Sequence, residues 1–148
     1  MTRFLYDTAV FVYALGGTHL YRDPCRRIVA RAGHGELHGE ASADLIQEFL
    51  HQRFRRTGDR RLASQQARQA SALCELHDVR AEDVHRGLEL FTEATRLNAR
   101  DAVFAAVALN REIGVILSPD RAFDEVPGLR RVDPADDDAV KALAREPI

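Results

Sequence analysis

The chain predicts an α/β/α sandwich with a central, mostly parallel sheet. Three observations carry that reading. The runs Phe4-Leu5-Tyr6 and Val115-Ile116-Leu117-Ser118 are short and unbroken in their apolarity, as strands buried on both faces are. Segments of helical length with apolar residues on one arc lie between the candidate strands. The order that results, β-α-α-β-α-α-β-α-α-β, is that of parallel strands joined by helical crossovers.

Taken in order, residues 4–6 read as a strand, followed directly by a helix over about 9–15 that Gly16 and Gly17 stop. Asp23 and Pro24 open a second helix, through Ile28 to about Ala32, with Gly33 at its end. Residues 36–38 read as a weak strand between glycines. Ser42 begins a third helix with Leu45, Ile46, Phe49, Leu50 and Phe54 on one arc. At about 100° per residue Glu48 falls on the rim of that arc, from which it can reach past the core edge into a cleft. Gly58 ends this helix. Residues 59–73 read as helix, 74–79 as strand, and 81–95 as a further helix with Val84, Leu88 and Phe91 apolar. Asn98 is placed to cap a helix over about 100–112, whose Ala102, Ala105 and Ala106 permit close approach to a sheet. The buried strand at 115–118, a helical turn around Phe123 and a strand at 130–132 complete the pattern.

The 148 residues suit one domain, and 45% hydrophobic content is enough for a core. A formal charge of -2 announces no polyanion partner, but the charge is unevenly spread. Arginines cluster at 22, 26, 27 and 31 and again at 53, 55, 56, 60 and 61, and Lys141 is the only lysine. Guanidinium forks match phosphate well, although a solvated helix face explains such clusters equally. Cys25 and Cys74 have no metal-type spacing and read as reduced thiols of a cytosolic protein. No signal peptide, internal repeat or membrane-length apolar run stands out.

Four acids stand at places that an α/β fold brings to one sheet edge. Asp7 closes FLYD and Asp120 follows GVILSPD, so both lie beyond the carboxyl ends of strands, where open parallel sheets form their sites. Asp101 opens the Ala-rich helix, and Glu48 sits in DLIQEFLHQRF. Each has an ordinary alternative: a helix cap for Asp7, an Asx-turn for Asp120, a first-turn acid for Asp101, a solvated side chain for Glu48. Their joint placement favours something more. Carboxylates crowded in one pocket repel, and a hard cation such as Mg²⁺ removes the repulsion and activates water.

The segments FLYDTAVFVYAL, SADLIQEFL, LNARDAVFAAVAL and GVILSPDRAFDEVPGLRRVDP, in this order and spacing, resemble the PIN-domain ribonucleases, and among them the VapC-type toxins of bacterial toxin–antitoxin pairs. The resemblance runs from Phe4 to Pro134. It implies a PIN-like nuclease domain over 1–134 and leaves a short tail, 135–148, that could form a helix. It also implies a metal-dependent endoribonuclease in which Asp7, Asp101 and Asp120 hold Mg²⁺ or Mn²⁺ and Glu48 completes the catalytic set. Asp124 matches a less regular fifth acid and Thr8 the hydroxyl residue after the first aspartate. Two departures stand out. Ala9 replaces the commoner Ser or Asn, and Ser118-Pro119-Asp120 replaces the more usual Thr-x-Asp. The implied partners are RNA, a VapB-type antitoxin and a second copy of the chain, for which Val12, Tyr13 and Leu20 on early helices could supply the surface.

Rival readings fit less well. A haloacid-dehalogenase phosphatase needs Asp-x-Asp where Asp7-Thr8-Ala9 stands, and a receiver domain needs a late-strand lysine, whereas Lys141 lies in the tail. His34 and His38 are four apart, but Gly35 occupies the place of the zincin glutamate. Ser64 and Ser71 lack a His–Asp arrangement, and the sparse aromatics give little sign of a base-stacking platform. A non-catalytic PIN-like module that binds RNA or protein is the alternative of a different class.

Overall fold

A computed structural model describes residues 2–144. One five-stranded sheet, entirely parallel, runs in the order β3-β2-β1-β4-β5, with β1 at Leu5–Tyr6, β2 at Gly39–Ser42, β3 at Cys74–His77, β4 at Val115–Leu117 and β5 at Arg130–Val132. Helices α1 (Thr8–Leu15) and α2 (Arg22–Gly33) connect β1 to β2, α3 (Ala43–Thr57) and α4 (Arg60–Ala72) connect β2 to β3, and α5 (Ala81–Glu93) and α6 (Ala99–Asn110) connect β3 to β4. A 3-10 turn, Arg121–Glu125, leads into β5, and α7 (Asp137–Lys141) follows. The expected α/β/α sandwich is the observed fold.

The central strand explains where a site must form. Leu5 is in register with Glu40 on one side and Ile116 on the other, and Tyr6 with Leu117. Chain order departs from β1 towards β3 on one side and towards β5 on the other, so a crevice opens beyond the carboxyl ends of β1 and β4. Beneath it Phe4, Leu5, Tyr6, Phe49, Phe104 and Ile116 are fully buried. The Tyr6 ring meets Phe4 edge-on at 5.0 Å and Phe11 at 5.1 Å.

The second strand lies at Gly39–Ser42, not at 36–38. Leu37 is buried but stands outside the ladder. The strand GEAS has only one apolar side chain, and its burial comes from its neighbours. A Cβ at residue 39 would stand 1.9 Å from the Tyr6 ring, so only glycine fits there. Glu40 is buried because Arg3 and His77 hold its carboxylate. Neither cause is visible as hydrophobic periodicity.

Helix α5 is turned by about one residue from its apolar stripe. Val84, Leu88 and Phe91 are exposed, while Asp83, Gly87 and Leu90 are buried. Gly87 lets α6 approach, since a Cβ there would sit 3.1 Å from Val103. Asp83 takes hydrogen bonds from Arg111 (3.0 and 3.1 Å) and Asn110 (2.8 Å), so its burial leaves no charge unpaired. Smaller differences concern element ends: β3 stops at His77, α5 at Glu93 and α6 at Asn110. Leu20 lies in the turn between α1 and α2, 82% exposed, and not on a helix. Gly58, at φ 65°, closes α3 in the left-handed conformation that disfavours a side chain. In α7 the Asp136 side chain accepts from the Ala139 amide, and Val140 and Leu143 are buried in the core.

Candidate active site

Asp7 is the first residue beyond β1. Its amide donates to the Leu117 carbonyl at 3.1 Å, which ties it to the end of β4. It occupies the N-cap position of α1, yet its side chain makes no capping hydrogen bond. The carboxylate instead accepts from the Ser118 hydroxyl at 2.6 Å. Ser118 is fixed in turn by its amide on the Val132 carbonyl, 3.0 Å, and its hydroxyl accepts from the Asp120 amide at 3.0 Å. One hydroxyl thus couples the acids after β1 and β4. Asp120 also accepts from the Ala122 amide at 2.9 Å, the Asx-turn that opens the 3-10 turn.

Asp101 stands in the first turn of α6, where its amide donates to the Asn98 cap at 2.8 Å. Its carboxylate has no hydrogen-bond donor among the described residues. Glu48 projects from α3 and is held from three directions: by the Thr8 hydroxyl at 2.8 Å, Arg100 at 2.6 Å and Gln52 at 3.2 Å. All four expected acids line one cleft of about 480 Å³ at the crevice predicted by strand order.

The electrostatics of that cleft are unbalanced. Burial pushes Asp7 up from 3.8 to about 6; the Ser118 hydroxyl opposes this, while Glu48 and Asp120 add to it. Burial pushes Asp101 up from 3.8 to about 7, with the charges of Asp7, Asp120 and Glu48 adding and Arg100 opposing. Two buried acids therefore resist ionisation, first through burial and then through the acids beside them, and no ion pair offsets either. A hard, oxygen-binding cation fits that donor set.

A tighter group of ligand-type side chains lies elsewhere. Glu40, Glu75 and His77, on β2 and β3, offer atoms all within 4.8 Å of one another. There the buried carboxylate, Glu40, is already paired. Both Glu40 oxygens accept from Arg3, at 2.6 and 2.9 Å, and one also meets His77 at 2.8 Å. Burial alone would raise the Glu40 carboxyl, but the bonds from Arg3 and His77 outweigh it and hold the group low. The unmet demand for a cation is in the cleft of Asp7 and Asp101, not here.

Other residues singled out in the sequence fall outside the cleft. Asp124 is paired with Arg131 at 2.9 Å and does not line it. Arg53 is buried, with its guanidinium on Gln66 at 2.9 Å, so it serves the α3–α4 contact. Arg55, Arg56 and Arg100 line a second cleft of about 520 Å³, which shares Val12 and Gln52 with the first. Arg100 escaped the sequence reading, although it adjoins Asp101. Tyr13 and Tyr21 also line the acid cleft, a placement that depends on how the loop between α1 and α2 folds back.

The family model for the PIN domain matches residues 4–129. The chain is similar to "Ribonuclease VapC7" of Mycobacterium tuberculosis, 38% identical over 131 residues that cover 86% of this chain and 89% of the relative. Among solved structures it is similar to VapBC2 from Rickettsia felis bound to a DNA fragment from their promoter, with TM-score 0.67 at 14% identity, covering 89% of this chain and 98% of that one. It is also similar to VapC20 of Mycobacterium tuberculosis, described as a Sarcin-Ricin loop cleaving toxin, with TM-score 0.62 at 17% identity, covering 76% and 86%. Fold, crevice and family match agree: the chain belongs to the PIN-domain family, as a relative of the VapC proteins.

Proposed function

We propose that the chain is a divalent-metal-dependent endoribonuclease, the toxin of a VapBC-type pair. One observation carries the reading: Asp7, Glu48, Asp101 and Asp120 converge on the crevice beyond β1 and β4, and two of them lack the positive charge their burial demands. The 38% identity to a protein named as a VapC ribonuclease supports it, as do the likenesses to VapBC assemblies and to a VapC described as cleaving an RNA loop.

Asp7, Asp101 and Asp120 would hold Mg²⁺ or Mn²⁺. A divalent ion bound there supplies an activated water and offsets charge developing on a phosphodiester. The chain's own residues set the conditions. Ser118 orients Asp7 and fixes the Asp120 backbone through one hydroxyl. Thr8 and Gln52 hold Glu48 at the rim, and Arg100 shields its charge. Arg55 and Arg56, in the adjoining cleft, are placed to meet the RNA backbone on one flank. A non-catalytic binding module has no need of four acids in one crevice, two of them buried without an ion pair.

The test is Asp7→Asn or Asp101→Asn in an RNA cleavage assay with Mg²⁺. A loss of roughly 100-fold or more is expected, since such groups act on charge that develops in the transition state. Wild-type rates from either variant would refute the assignment. The toxin role is checked separately: expression should arrest growth, and the VapB-type protein encoded beside it should relieve the arrest.

A further inference from the structure

One wall of the acid cleft is aromatic. Tyr13, on α1, and Tyr21, at the entry to α2, line the same cleft as the carboxylates, together with Val12 and Pro119. The two tyrosine rings lie 5.7 Å apart at 31°, and His19 stacks on Tyr13 at 4.3 Å and 19°. Both tyrosines are only half-buried, and His19 is exposed. Tyr21 is fixed in place because its hydroxyl donates to Asp133 at 2.9 Å, and Asp133 is in turn held by Arg131. A site that handled only an ion and a phosphate would gain nothing from a partly wet aromatic wall beside its acids.

We infer that Tyr13 and Tyr21 form a stacking platform for an unpaired nucleobase next to the scissile phosphate. This rests on the nuclease reading and adds the residues that would position the substrate: two tyrosines that hold a base splayed out beside the cut. The physical reason is reach. A base in a duplex has both faces covered by its neighbours, whereas an unstacked base offers a face to Tyr13 while its phosphate lies over the carboxylates. Stacking of this kind is tolerant of base identity because every base has a π-face. His19, within 19° of parallel to Tyr13 and held by the Tyr21 amide at 3.1 Å, marks the orientation a base would take in extending the stack. A purely structural role for the three rings, as a cap on the loop between α1 and α2, predicts no dependence on bases.

The experiment compares affinities, with Ca²⁺ in place of Mg²⁺ to keep the strands uncut, for a labelled, mixed-sequence single-stranded RNA and an abasic strand of equal length, with tyrosine emission as a second readout. The chain has three tyrosines and no tryptophan, and Tyr6 is 1% exposed, so changes in emission report on Tyr13 and Tyr21. The base-bearing strand should bind about 5- to 100-fold more tightly and quench the emission. Tyr13→Leu should remove the difference between the strands, and Tyr13→Phe should keep it. Equal affinity for the two strands, or an unchanged difference in Tyr13→Leu, overturns the platform while leaving the nuclease reading intact. Failure of wild-type protein to bind either strand counts against both.

Discussion

Replacing Asp101 by Asn should make the metal-free protein more stable at pH 8, although it removes a proposed metal ligand. Asp101 is 9% exposed, and its pKa rises from 3.8 to about 7, first through burial and then through Asp7, Asp120 and Glu48. The sign follows from proton binding. Between pH 3.8 and about 7 the folded protein holds a proton that the unfolded chain has released, so wild-type stability falls as pH rises through that window and the whole cost is present above it. At 1.36 kcal/mol for each pKa unit, the shift corresponds to about 4 kcal/mol. The variant also loses a carboxylate from the first turn of α6, worth about 0.3–1 kcal/mol. A net gain of about 3 kcal/mol remains, or roughly 6–12 °C in melting temperature for a chain of this size.

The assay is thermal or urea unfolding of both proteins in a chelator, from pH 4.5 to pH 8. The variant's advantage should be largest at pH 8 and fall to about 1 kcal/mol at pH 4.5, where the folded side chain is neutral and the unfolded one mostly ionised. Addition of Mg²⁺ at about a hundred times its dissociation constant should then stabilise wild type by roughly 2.7 kcal/mol and the variant much less. An Asn variant no more stable at pH 8, or with an advantage independent of pH, would show that Asp101 is not held in an electrostatically starved cleft.

Two further outcomes test the surroundings of that cleft. Ser118→Ala removes the 2.6 Å hydrogen bond that opposes the rise of the Asp7 pKa, so that pKa should climb above about 6 and the acidic limb of the pH–rate profile should move to higher pH; an unmoved limb would detach Ser118 from Asp7 ionisation. Gly39→Ala puts a methyl group 1.9 Å from the Tyr6 ring and should cost at least about 2 kcal/mol in urea unfolding, with Tyr6→Leu in the same chain recovering part of it; a neutral Gly39→Ala would show that the β1–β2 contact is looser than described.

The fold was legible where local pattern and tertiary placement agree. β4 and α6 announce themselves through an unbroken apolar run and an Ala-rich helix with an Asn cap, and both lie within a residue or two of where they were expected. The places of Asp7 and Asp120 were legible for a related reason: the end of a parallel strand is a position in sequence as well as in space. What stayed hidden depends on partners distant along the chain. The strand GEAS is a strand because Tyr6, Arg3 and His77 make a glycine and a glutamate acceptable inside the sheet. The buried side of α5 is set by Gly87 against Val103 and Asp83 against Arg111, not by the Val84, Leu88, Phe91 stripe. The aromatic wall was missed because Tyr21 reaches the cleft through a loop whose course carries no periodic signal.

A comparison among the chain's own acids separates function from structure more sharply than burial does. Asp83 and Glu40 are as buried as any acid in the cleft, at 0% and 4% exposure. Each has an arginine within about 3 Å, and each carboxyl is held below its ordinary range because hydrogen bonds outweigh the penalty of burial. Asp7 and Asp101 are buried to 6% and 9%, with carboxyls pushed to about 6 and about 7. Arg100, whose charge acts on Asp101, makes its 2.6 Å contact with Glu48 instead. An arginine-rich chain that neutralises its structural acids so closely, yet leaves these two without an ion pair, carries an electrostatic cost above pH 7 that a bound cation would relieve. That asymmetry, more than the mere presence of carboxylates, supports the proposed metal site in the crevice.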